Sequence, residues 1–343
     1  MTGGIELLQK KGIMKSKRIS LADIAESLSI SKSTVSFVLN GKGKQFNISP
    51  KTQQLILDKA KELNYVPNFF AKGLREGKTQ TIGLVLADIS NPFYSELSKA
   101  IQETLYAKGY SLFIVSTNDD AGMEIKLMRD LILRSVDALI IAPCNGIPEL
   151  KPVLDETPIP VVFVDRIGDE FADFVGIDNA RESGKLIELF SVKPKKVGII
   201  HPIASEVMTI RLRIEGAIEA CNERGIPYEL LCISEDPDKA NAQISEFMQK
   251  GVDSLVPLNN KVALSTLAAL KRLNIAIPGQ VRMISFDDSE AFSYFAPPIT
   301  ALRQPIKQIG VETVARLLDR LKESTEQRKH LMMECLFIER ASH

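Results

Sequence analysis

The chain has 343 residues, of which 45% are apolar and 25% charged, a composition typical of a folded protein with two or three domains. It contains no apolar run of membrane-spanning length, and its N-terminal sequence MTGGIELLQKKGIMKSKR lacks the apolar core of a secretory signal, so we expect a cytoplasmic protein with no membrane partner. Residues 1–78 hold 14 Lys and Arg against 6 Asp and Glu, and this net charge of +8 favours a polyanionic partner.

The first 18 residues are expected to form an extension without structure, and Met14, before the basic sequence KSKR, is a second candidate start. From Ile19 to Asn40, the sequence ISLADIAESLSISKSTVSFVLN predicts two short helices joined by a tight turn. Ser20 and Ser31 are their predicted N-caps, because a serine side chain accepts hydrogen bonds from the first free N–H groups of a helix.

A third helix is expected to cover the first two, since helices this short cannot bury enough apolar surface alone. Ser49-Pro50 predicts its start, and its end is expected near Asn64. The positions predicted to form its inner face are Leu55, Ile56, Lys59, Ala60 and Leu63. Between the second and third helices, the sequence GKGKQFN from Gly41 is expected to form a mobile loop.

Three helices with a short polar second helix fit either a protein-binding module or a helix-turn-helix that reads the major groove of DNA. The following sequence favours the helix-turn-helix. Together, TVSFVLN, the third helix, NYVPN and the small-residue segment ending in Leu74-Arg75 resemble the LacI/GalR family of lactose- and purine-repressor-like proteins. The resemblance spans the chain from Ile19 and implies an all-α helix-turn-helix domain over residues 19–66 and a hinge helix or linker over residues 67–78.

This resemblance implies that palindromic double-stranded DNA is a partner. Lys32, Ser33 and Phe37 would face base edges, and Thr34 and Ser36 would face phosphate or the domain core. Most members of the family have arginine where this chain has Phe37. A phenylalanine there would touch a thymine methyl group or pack against its own loop, so the operator sequence is open.

Further DNA contacts are expected in the loop and the hinge. Lys42 and Lys44 would contact phosphates, and Leu74 matches the leucine that the family inserts into the minor groove. The predicted DNA contacts are, in full, Lys32, Ser33, Thr34, Ser36, Phe37, Lys42, Lys44, Asn68, Leu74 and Arg75.

From Thr81 onward, short apolar strands alternate with helices in two similar halves, which indicates parallel sheets covered on both faces. The predicted strands are 81–86, 110–115, 138–142, 161–164, 196–200, 228–233, 254–257, 281–286, 299–302 and 333–338. The resemblance implies an α/β core over residues 79–343, made of two doubly wound lobes like those of periplasmic binding proteins. The expected extents are about 79–178 and 303–325 for lobe one, and about 179–300 and 330–340 for lobe two.

Ligands of open parallel sheets sit beyond the carboxyl ends of the strands, so the residues that follow each strand predict a binding site. The predicted effector-binding residues are Asp88, Phe93, Tyr94 and Asp165 in lobe one and Arg213, Asn259 and Asp287 in lobe two. All except Asp88 also match the family's effector contacts. Carboxylates, amides, a guanidinium and aromatic rings suit a polyhydroxylated ligand, which favours a sugar. The alternative is local: Asp287 caps a turn, Arg213 pairs with Glu206 or Glu215, and Asn259 turns the chain.

No nucleophile elbow, phosphate-binding loop or dinucleotide fingerprint occurs in the sequence, and the four cysteines, expected to be buried reduced thiols, have no metal-ligand spacing. We therefore expect neither an enzyme nor a cofactor or metal. The implied function is a DNA-binding transcriptional regulator, a repressor, whose operator affinity a small effector changes. No leucine heptad follows the last strand, so a homodimer is expected. The alternatives are a sugar-binding protein with a repurposed N-terminal module and an enzyme that uses the cleft.

Overall fold

The structure is a computed structural model that describes residues 19–65, 77–144, 150–156, 159–166, 172–203, 207–322 and 327–343. The chain divides into two compact units, residues 1–75 and 76–343. The expected N-terminal extension and most of the expected hinge lie outside the described residues, so their extents stay predictions.

The first unit contains the three predicted helices. They are α1 (Leu21–Leu28), α2 (Lys32–Leu39) and α3 (Pro50–Glu62). Each begins with a serine N-cap whose side chain accepts a hydrogen bond from a backbone N–H, namely Ser20, Ser31 and Ser49. One such cap contributes about 1 kcal/mol, which is a substantial share of the stability of helices this short.

One residue from each helix forms the centre of this unit: Ile24, Val35 and Ile56 are fully buried. The predicted inner face of α3 is wrong at one position, since Leu55 is 51% exposed. It precedes Ile56 by one residue and so points about 100° away around the helix.

The segment from Gly41 to Ile48, expected to be a mobile loop, is instead folded into hydrogen-bonded turns. The Ile48 N–H donates to the Gly43 carbonyl oxygen at 2.9 Å. The Gln53 side chain fixes the same segment by donating from Nε2 to the Ile48 carbonyl oxygen at 2.7 Å. A Cβ atom on Gly43 would lie 2.6 Å from Cδ of Gln53, so a glycine allows this close approach. The loop is therefore an ordered part of the helix-turn-helix unit.

The second unit contains two sheets of parallel strands connected by helices. The strands are β1 (Thr81–Leu86), β2 (Ser111–Ser116), β3 (Ala138–Ile141), β4 (Val161–Val164), β5 (Asp173–Ile177), β6 (Val197–His201), β7 (Tyr228–Cys232), β8 (Ser254–Pro257), β9 (Arg282–Phe286), β10 (Thr300–Arg303), β11 (His330–Met333) and β12 (Leu336–Ile338). The helices are α4 (Pro92–Tyr106), α5 (Ala121–Leu133), α6 (Lys151–Asp155), α7 (Asn179–Glu188), α8 (Met208–Glu223), α9 (Pro237–Gln249), α10 (Asn260–Arg272) and α11 (Ile306–Leu321), with a 3-10 helix at Glu290–Tyr294.

Within the described ranges, each sheet has six strands. Sheet one has the order β11-β5-β4-β3-β1-β2, and sheet two the order β12-β10-β9-β8-β6-β7. The described strand pairs are parallel, apart from β10 with β12. Neighbouring residues of β1 enter different apolar clusters, Leu84 one and Val85 the other, so sheet one is covered on both faces. These are the two doubly wound lobes that the sequence predicts.

Two strand predictions are wrong. The predicted set omits β5, whose Asp173 and Gly176 interrupt the apolar run that marks the other buried strands. The single strand expected over residues 333–338 is two strands, of which β11 pairs with β5 in sheet one and β12 with β10 in sheet two. Residues 330–333 therefore belong to lobe one, not lobe two. The prediction failed here because periodicity alone cannot show that one apolar segment contributes strands to two sheets.

Among the described residues, the chain passes between the lobes at three places: from β5 to α7, from β10 to α11 and from β11 to β12. Next to the first crossover, α7 and α8 pack with little space between them. A Cβ atom on Gly216 would lie 2.0 Å from the Ala180 carbonyl oxygen. None of the described helices is long and apolar enough to span a membrane.

Candidate functional site

The exposed face of α2 carries part of the predicted DNA contacts. Lys32 and Ser33 are exposed in its first turn. Thr34 is partly exposed, and its hydroxyl lies 2.8 Å from the Ser31 hydroxyl. The cap therefore orients Thr34, while Lys32 and Ser33 stay accessible to a partner.

Ser36 does not lie on this exposed face. It is 7% exposed and faces the core of the unit, and its carbonyl oxygen accepts a hydrogen bond from Asn40 Nδ2 at 2.7 Å. Of the two positions that the sequence left open for Ser36, phosphate or core, its burial favours the core.

Phe37 packs against its own loop. Its ring stacks on Phe46 with the centroids 3.6 Å apart and the planes at 10°. Lys42 and Lys44, in the same loop, are exposed. The other predicted DNA contacts, Asn68, Leu74 and Arg75, lie outside the described residues.

In the core unit, two carboxylates occupy equivalent positions in the two lobes. Asp165 directly follows β4 and Asp287 directly follows β9, and both have a positive φ, 64° and 60°. Both side chains are largely buried. Aspartate tolerates this left-handed conformation better than most residues, so the backbone turns each carboxylate inward at the strand end.

The lobe-one carboxylate forms a buried hydrogen bond with an aromatic hydroxyl. The Tyr94 hydroxyl donates to Oδ2 of Asp165 at 2.7 Å. Burial raises the pKa of the Asp165 carboxyl, and the neighbouring Arg166 opposes this shift. Burial and the Asp165 charge raise the pKa of Tyr94 well above its ordinary value, so the tyrosine stays the donor.

The lobe-two carboxylate belongs to a buried ion pair. Arg213 Nη1 donates to Oδ2 of Asp287 at 2.9 Å and to the Leu258 carbonyl oxygen at 2.9 Å. The Arg213 guanidinium also lies 3.7 Å from the centroid of the Phe286 ring. The pairing, the hydrogen bonds and the ring contact compensate the cost of burying the charge.

Two side chains at the crossovers complete this pair. Arg213 Nε donates to Oδ1 of Asn179 at 2.8 Å, and Gln304 Nε2 donates to Oδ1 of Asp287 at 2.7 Å. Sequence reasoning did not select Asn179 or Gln304. Their signal was present: each is an amide residue just after a strand, β5 or β10, at a point where the chain changes lobe.

The buried charges of the two lobes influence one another. The charges of Arg213 and Asp287 both act on the pKa of Asp165. Because such effects fall off within several ångströms, the lobe-one carboxylate and the lobe-two ion pair share one region between the lobes.

A cavity of about 850 Å³ lies between the lobes. Among the described residues, Phe93 and Asp287 are the predicted effector residues that line it. Its apolar lining is Pro92, Phe93, Pro305, Ile306, Val311 and Leu336, and its charged lining is Glu96, Asp287, Asp288, Glu290, Arg303, Lys307 and Arg340. Apolar side chains beside charged ones suit a ligand with a carbon ring and polar substituents.

Two predicted effector residues have local roles in the structure. Asp88 Oδ1 accepts hydrogen bonds from the Ser90 N–H at 2.8 Å and the Ser90 hydroxyl at 2.6 Å. Asn259 caps α10 by accepting from the Val262 N–H at 2.7 Å. The local interpretation that the sequence left open for Asn259 fits this geometry. Arg213 pairs with Asp287, whereas Glu215 pairs with Arg211, and Glu206 lies outside the described residues.

Two family descriptions match the chain: "Bacterial regulatory proteins, lacI family" over residues 20–68 and "Periplasmic binding protein-like domain" over residues 194–343. The HTH-type transcriptional repressor PurR of Aliivibrio salmonicida is 27% identical over 332 residues, which is 94% of this chain and 98% of that protein. The chain is therefore similar to LacI-family repressors, and residues 20–68 match the DNA-binding domain of that family. The relative's name is that of a transcriptional repressor, which agrees with the predicted DNA-binding regulator.

Solved structures resemble this chain along most of its length. The lac repressor dimer bound to operator and the anti-inducer ONPF has a TM-score of 0.84 at 20% identity and covers 95% of this chain and 99% of its own. At that identity the likeness shows the fold alone. A periplasmic binding ribose operon repressor protein of Lactobacillus acidophilus has a TM-score of 0.69 at 27% identity and covers 77% of this chain and 98% of its own.

The cysteines of the chain are free thiols. Cys144 and Cys221 are buried, as predicted, and Cys335 is partly buried. Cys232 is exposed, contrary to the expectation for all four, because it ends β7 at the outer edge of sheet two.

Lobe one of the core unit also contains a buried carboxylate, Glu124. Its Oε1 accepts a hydrogen bond from the Cys144 N–H at 3.1 Å, and the residue is almost fully buried. Burial raises the pKa of Glu124 from 4.5 to about 7, against the opposing effect of the Cys144 hydrogen bonds. The folded chain therefore binds this proton more tightly than the unfolded chain does.

Replacing Glu124 by glutamine is expected to remove a pH dependence of stability. Because its folded-state pKa is raised, the wild type loses stability as the pH rises from 4.5 to about 7. The loss is of the order of 3 kcal/mol, at about 1.4 kcal/mol for each pKa unit. Urea unfolding of the core unit at pH 5 and pH 8 measures it.

Glutamine keeps the acceptor for Cys144 and cannot ionise, so Glu124→Gln should be the more stable protein at pH 8 and similar to wild type at pH 5. Glu103→Gln, at an exposed position of α4, is the matched control and should follow the wild type at both pH values. A Glu124→Gln variant that also follows the wild type at both would contradict the buried ionisable carboxyl.

Proposed function

We propose that this chain is a transcriptional repressor that binds a palindromic operator as a homodimer and changes its operator affinity when a small effector binds between the core lobes. The observation that carries the proposal is the combination of two features in one chain. A helix-turn-helix exposes Lys32 and Ser33, and each core lobe has a buried carboxylate directly after a strand, Asp165 in one and the ion-paired Asp287 in the other.

Similar proteins support both halves of the proposal. PurR, which is similar along nearly the whole chain, carries the name of a transcriptional repressor. The lac repressor structure is described as a dimer bound to operator and an anti-inducer, and the Lactobacillus protein as a ribose operon repressor. A chromosomal operator as partner implies a cytoplasmic location for this chain.

For the effector, a sugar or sugar derivative fits the side chains best. The proposed contacts are Asp88, Phe93, Tyr94, Asp165, Arg213, Asn259 and Asp287, joined by Asn179 and Gln304. Carboxylates and amides form hydrogen bonds with hydroxyl groups, and Phe93 in the cavity lining offers an apolar face to a ring. Whether the effector releases DNA or promotes its binding depends on which lobe arrangement it prefers.

Dimerisation is supported by apolar residues on the outer strands of both sheets. β2 ends sheet one and exposes Phe113 and Ile114, and β7 ends sheet two and exposes Leu230. Exposed apolar side chains on an edge strand favour association with another chain. Sedimentation of the full-length protein tests this, and a monomer at micromolar concentration would count against it.

The DNA-binding half is tested with a library of random palindromic duplexes and the full-length protein in low salt. Enrichment of a palindrome supports the proposal, and no binding to any duplex would overturn it. The effector half is tested by a thermal-shift screen of sugars and nucleobases, since a specific ligand stabilises the folded protein by mass action. The affinity of a hit must then differ with and without the enriched duplex.

Replacing both Lys42 and Lys44 by alanine is expected to weaken binding to all duplexes alike. Each lost phosphate contact lowers the slope of log K against log salt by about 0.9, so two lysines in each subunit of a dimer lower it by about 3 to 4. Fluorescence anisotropy at several salt concentrations measures the slope. Lys322→Ala, a highly exposed lysine of the core unit, should leave the slope unchanged. An unchanged slope in the double variant would place the loop away from phosphate.

A further inference from the structure

Phe46, in the loop after α2, has an exposed aromatic ring beside α2, the helix proposed to read the major groove. Phe46 is 46% exposed, although one face of its ring is covered by Phe37 at a centroid distance of 3.6 Å. Phe37 lies four residues after Ser33, so both are on the same side of α2. The Phe46 ring therefore extends the surface that Lys32 and Ser33 present to a partner.

The loop holds this ring in a fixed position. The Lys42 N–H donates to the Phe37 carbonyl oxygen at 2.8 Å, and the Phe46 N–H donates to the Lys42 carbonyl oxygen at 3.2 Å. The loop is also fixed at its far end by Gln53, which donates to the Ile48 carbonyl oxygen at 2.7 Å. A ring that is already ordered loses little conformational entropy when it binds, so its contact can contribute to affinity.

The chemistry around the ring selects the kind of contact. Lys42 and Lys44 are exposed in the same loop and suit phosphates, whereas the ring has no hydrogen-bonding group and suits an apolar one. In the major groove of DNA, the apolar group presented by the base pairs is the C5-methyl group of thymine. A phenylalanine ring at the edge of a recognition helix can pack directly on it.

We propose that Phe46, supported by Phe37, determines specificity by contacting a thymine methyl group in each operator half-site. The proposal rests on the proposed operator binding. It assigns the apolar contact to a residue outside α2 and gives Phe37 the role of a support. It also gives the ordered loop a function in choosing the sequence, beyond the phosphate contacts of its lysines.

The test uses the full-length protein and the palindrome enriched from the random library. Each thymine in turn is replaced in both half-sites by deoxyuridine, which removes the methyl group and leaves the hydrogen-bonding pattern of the base intact. With the wild type, one thymine position is expected to show a loss of about fourfold in affinity for each half-site, the effect of one buried methyl group. The other positions should show little change.

Phe46→Ala is expected to bind the thymine and deoxyuridine duplexes equally, at the affinity that the wild type has for deoxyuridine. Phe46→Leu, which keeps an apolar side chain, should retain part of the discrimination. Tyr106→Ala, which removes a highly exposed ring from α4 of the core unit, is the matched control and should discriminate as the wild type does.

The outcomes separate this proposal from the proposed function. A wild type that binds the palindrome but tolerates deoxyuridine at every position overturns the role of Phe46 alone. A Phe46→Ala variant that keeps the full preference for thymine at that position also overturns it, and assigns the methyl contact to another residue. A wild type that binds no duplex overturns operator binding and this proposal together.

Discussion

Replacement of Ile56 by alanine is expected to abolish DNA binding and to leave the core unit folded. Ile56 is fully buried with Ile24 and Val35, and a buried Ile→Ala change costs about 2 to 5 kcal/mol. A three-helix unit of this size has only about 3 to 5 kcal/mol of stability, so this one cavity is enough to unfold it. Anisotropy with the enriched palindrome and calorimetry of the full chain measure the two effects.

Leu57→Ala is the matched control for this variant. Leu57 neighbours Ile56 in α3 but is 46% exposed, so its truncation should change stability by less than about 0.5 kcal/mol. In Ile56→Ala, the effector hit should still shift the melting of the core, because the core is a separate compact unit. If Ile56→Ala bound DNA normally, the packing of Ile56 would not be what stabilises the three-helix unit, and the prediction would be wrong.

Replacement of Asp287 by asparagine is expected to destabilise the core by about 3 kcal/mol, which corresponds to a fall of about 10 °C in its melting temperature. The Arg213 guanidinium is buried and donates to Asp287, so the variant leaves a buried cation without its counter-charge. The same change should remove the response to the effector, since it alters both a cavity-lining residue and its ion pair. Thermal unfolding with and without the effector hit measures both.

Two further variants separate the causes. Glu215→Gln breaks an exposed ion pair with Arg211, also on α8, and should cost less than about 0.5 kcal/mol. A double variant, Arg213→Met with Asp287→Leu, removes both charges and should regain most of the lost stability while remaining unresponsive to the effector. If Asp287→Asn were as stable as the wild type, water would be reaching the ion pair, and its burial would not contribute to the free energy of unfolding.

Much of the fold could be predicted because its signals are local. Serine at three helix starts, proline at the first position of α3 and continuous apolar runs such as β1 act over a few residues of sequence. The same reasoning located the strand ends that carry Asp165 and Asp287, because the topology of parallel sheets gathers them at one edge.

Predictions that depend on which side of a short element is covered were less successful. Leu55 was placed on the wrong face of α3, since a short helix gives few residues with which to fix an apolar stripe. β5 and the division of residues 330–338 between two sheets depend on pairing with strands far away in the chain, and an apolar run contains no information about its partner.

The sequence by itself determined the helix-turn-helix, the strand and helix alternation of the core and the family resemblance. Capping residues, apolar periodicity and motifs predict each of these from short stretches of sequence. Only the tertiary structure decided the partners of the buried charges. Arg213 meets Asn179, Leu258 and Asp287, and Asp287 meets Gln304, although long stretches of chain separate them. The stacking of Phe46 on Phe37 was settled in the same way, since such contacts exist only once the chain has packed and excluded water.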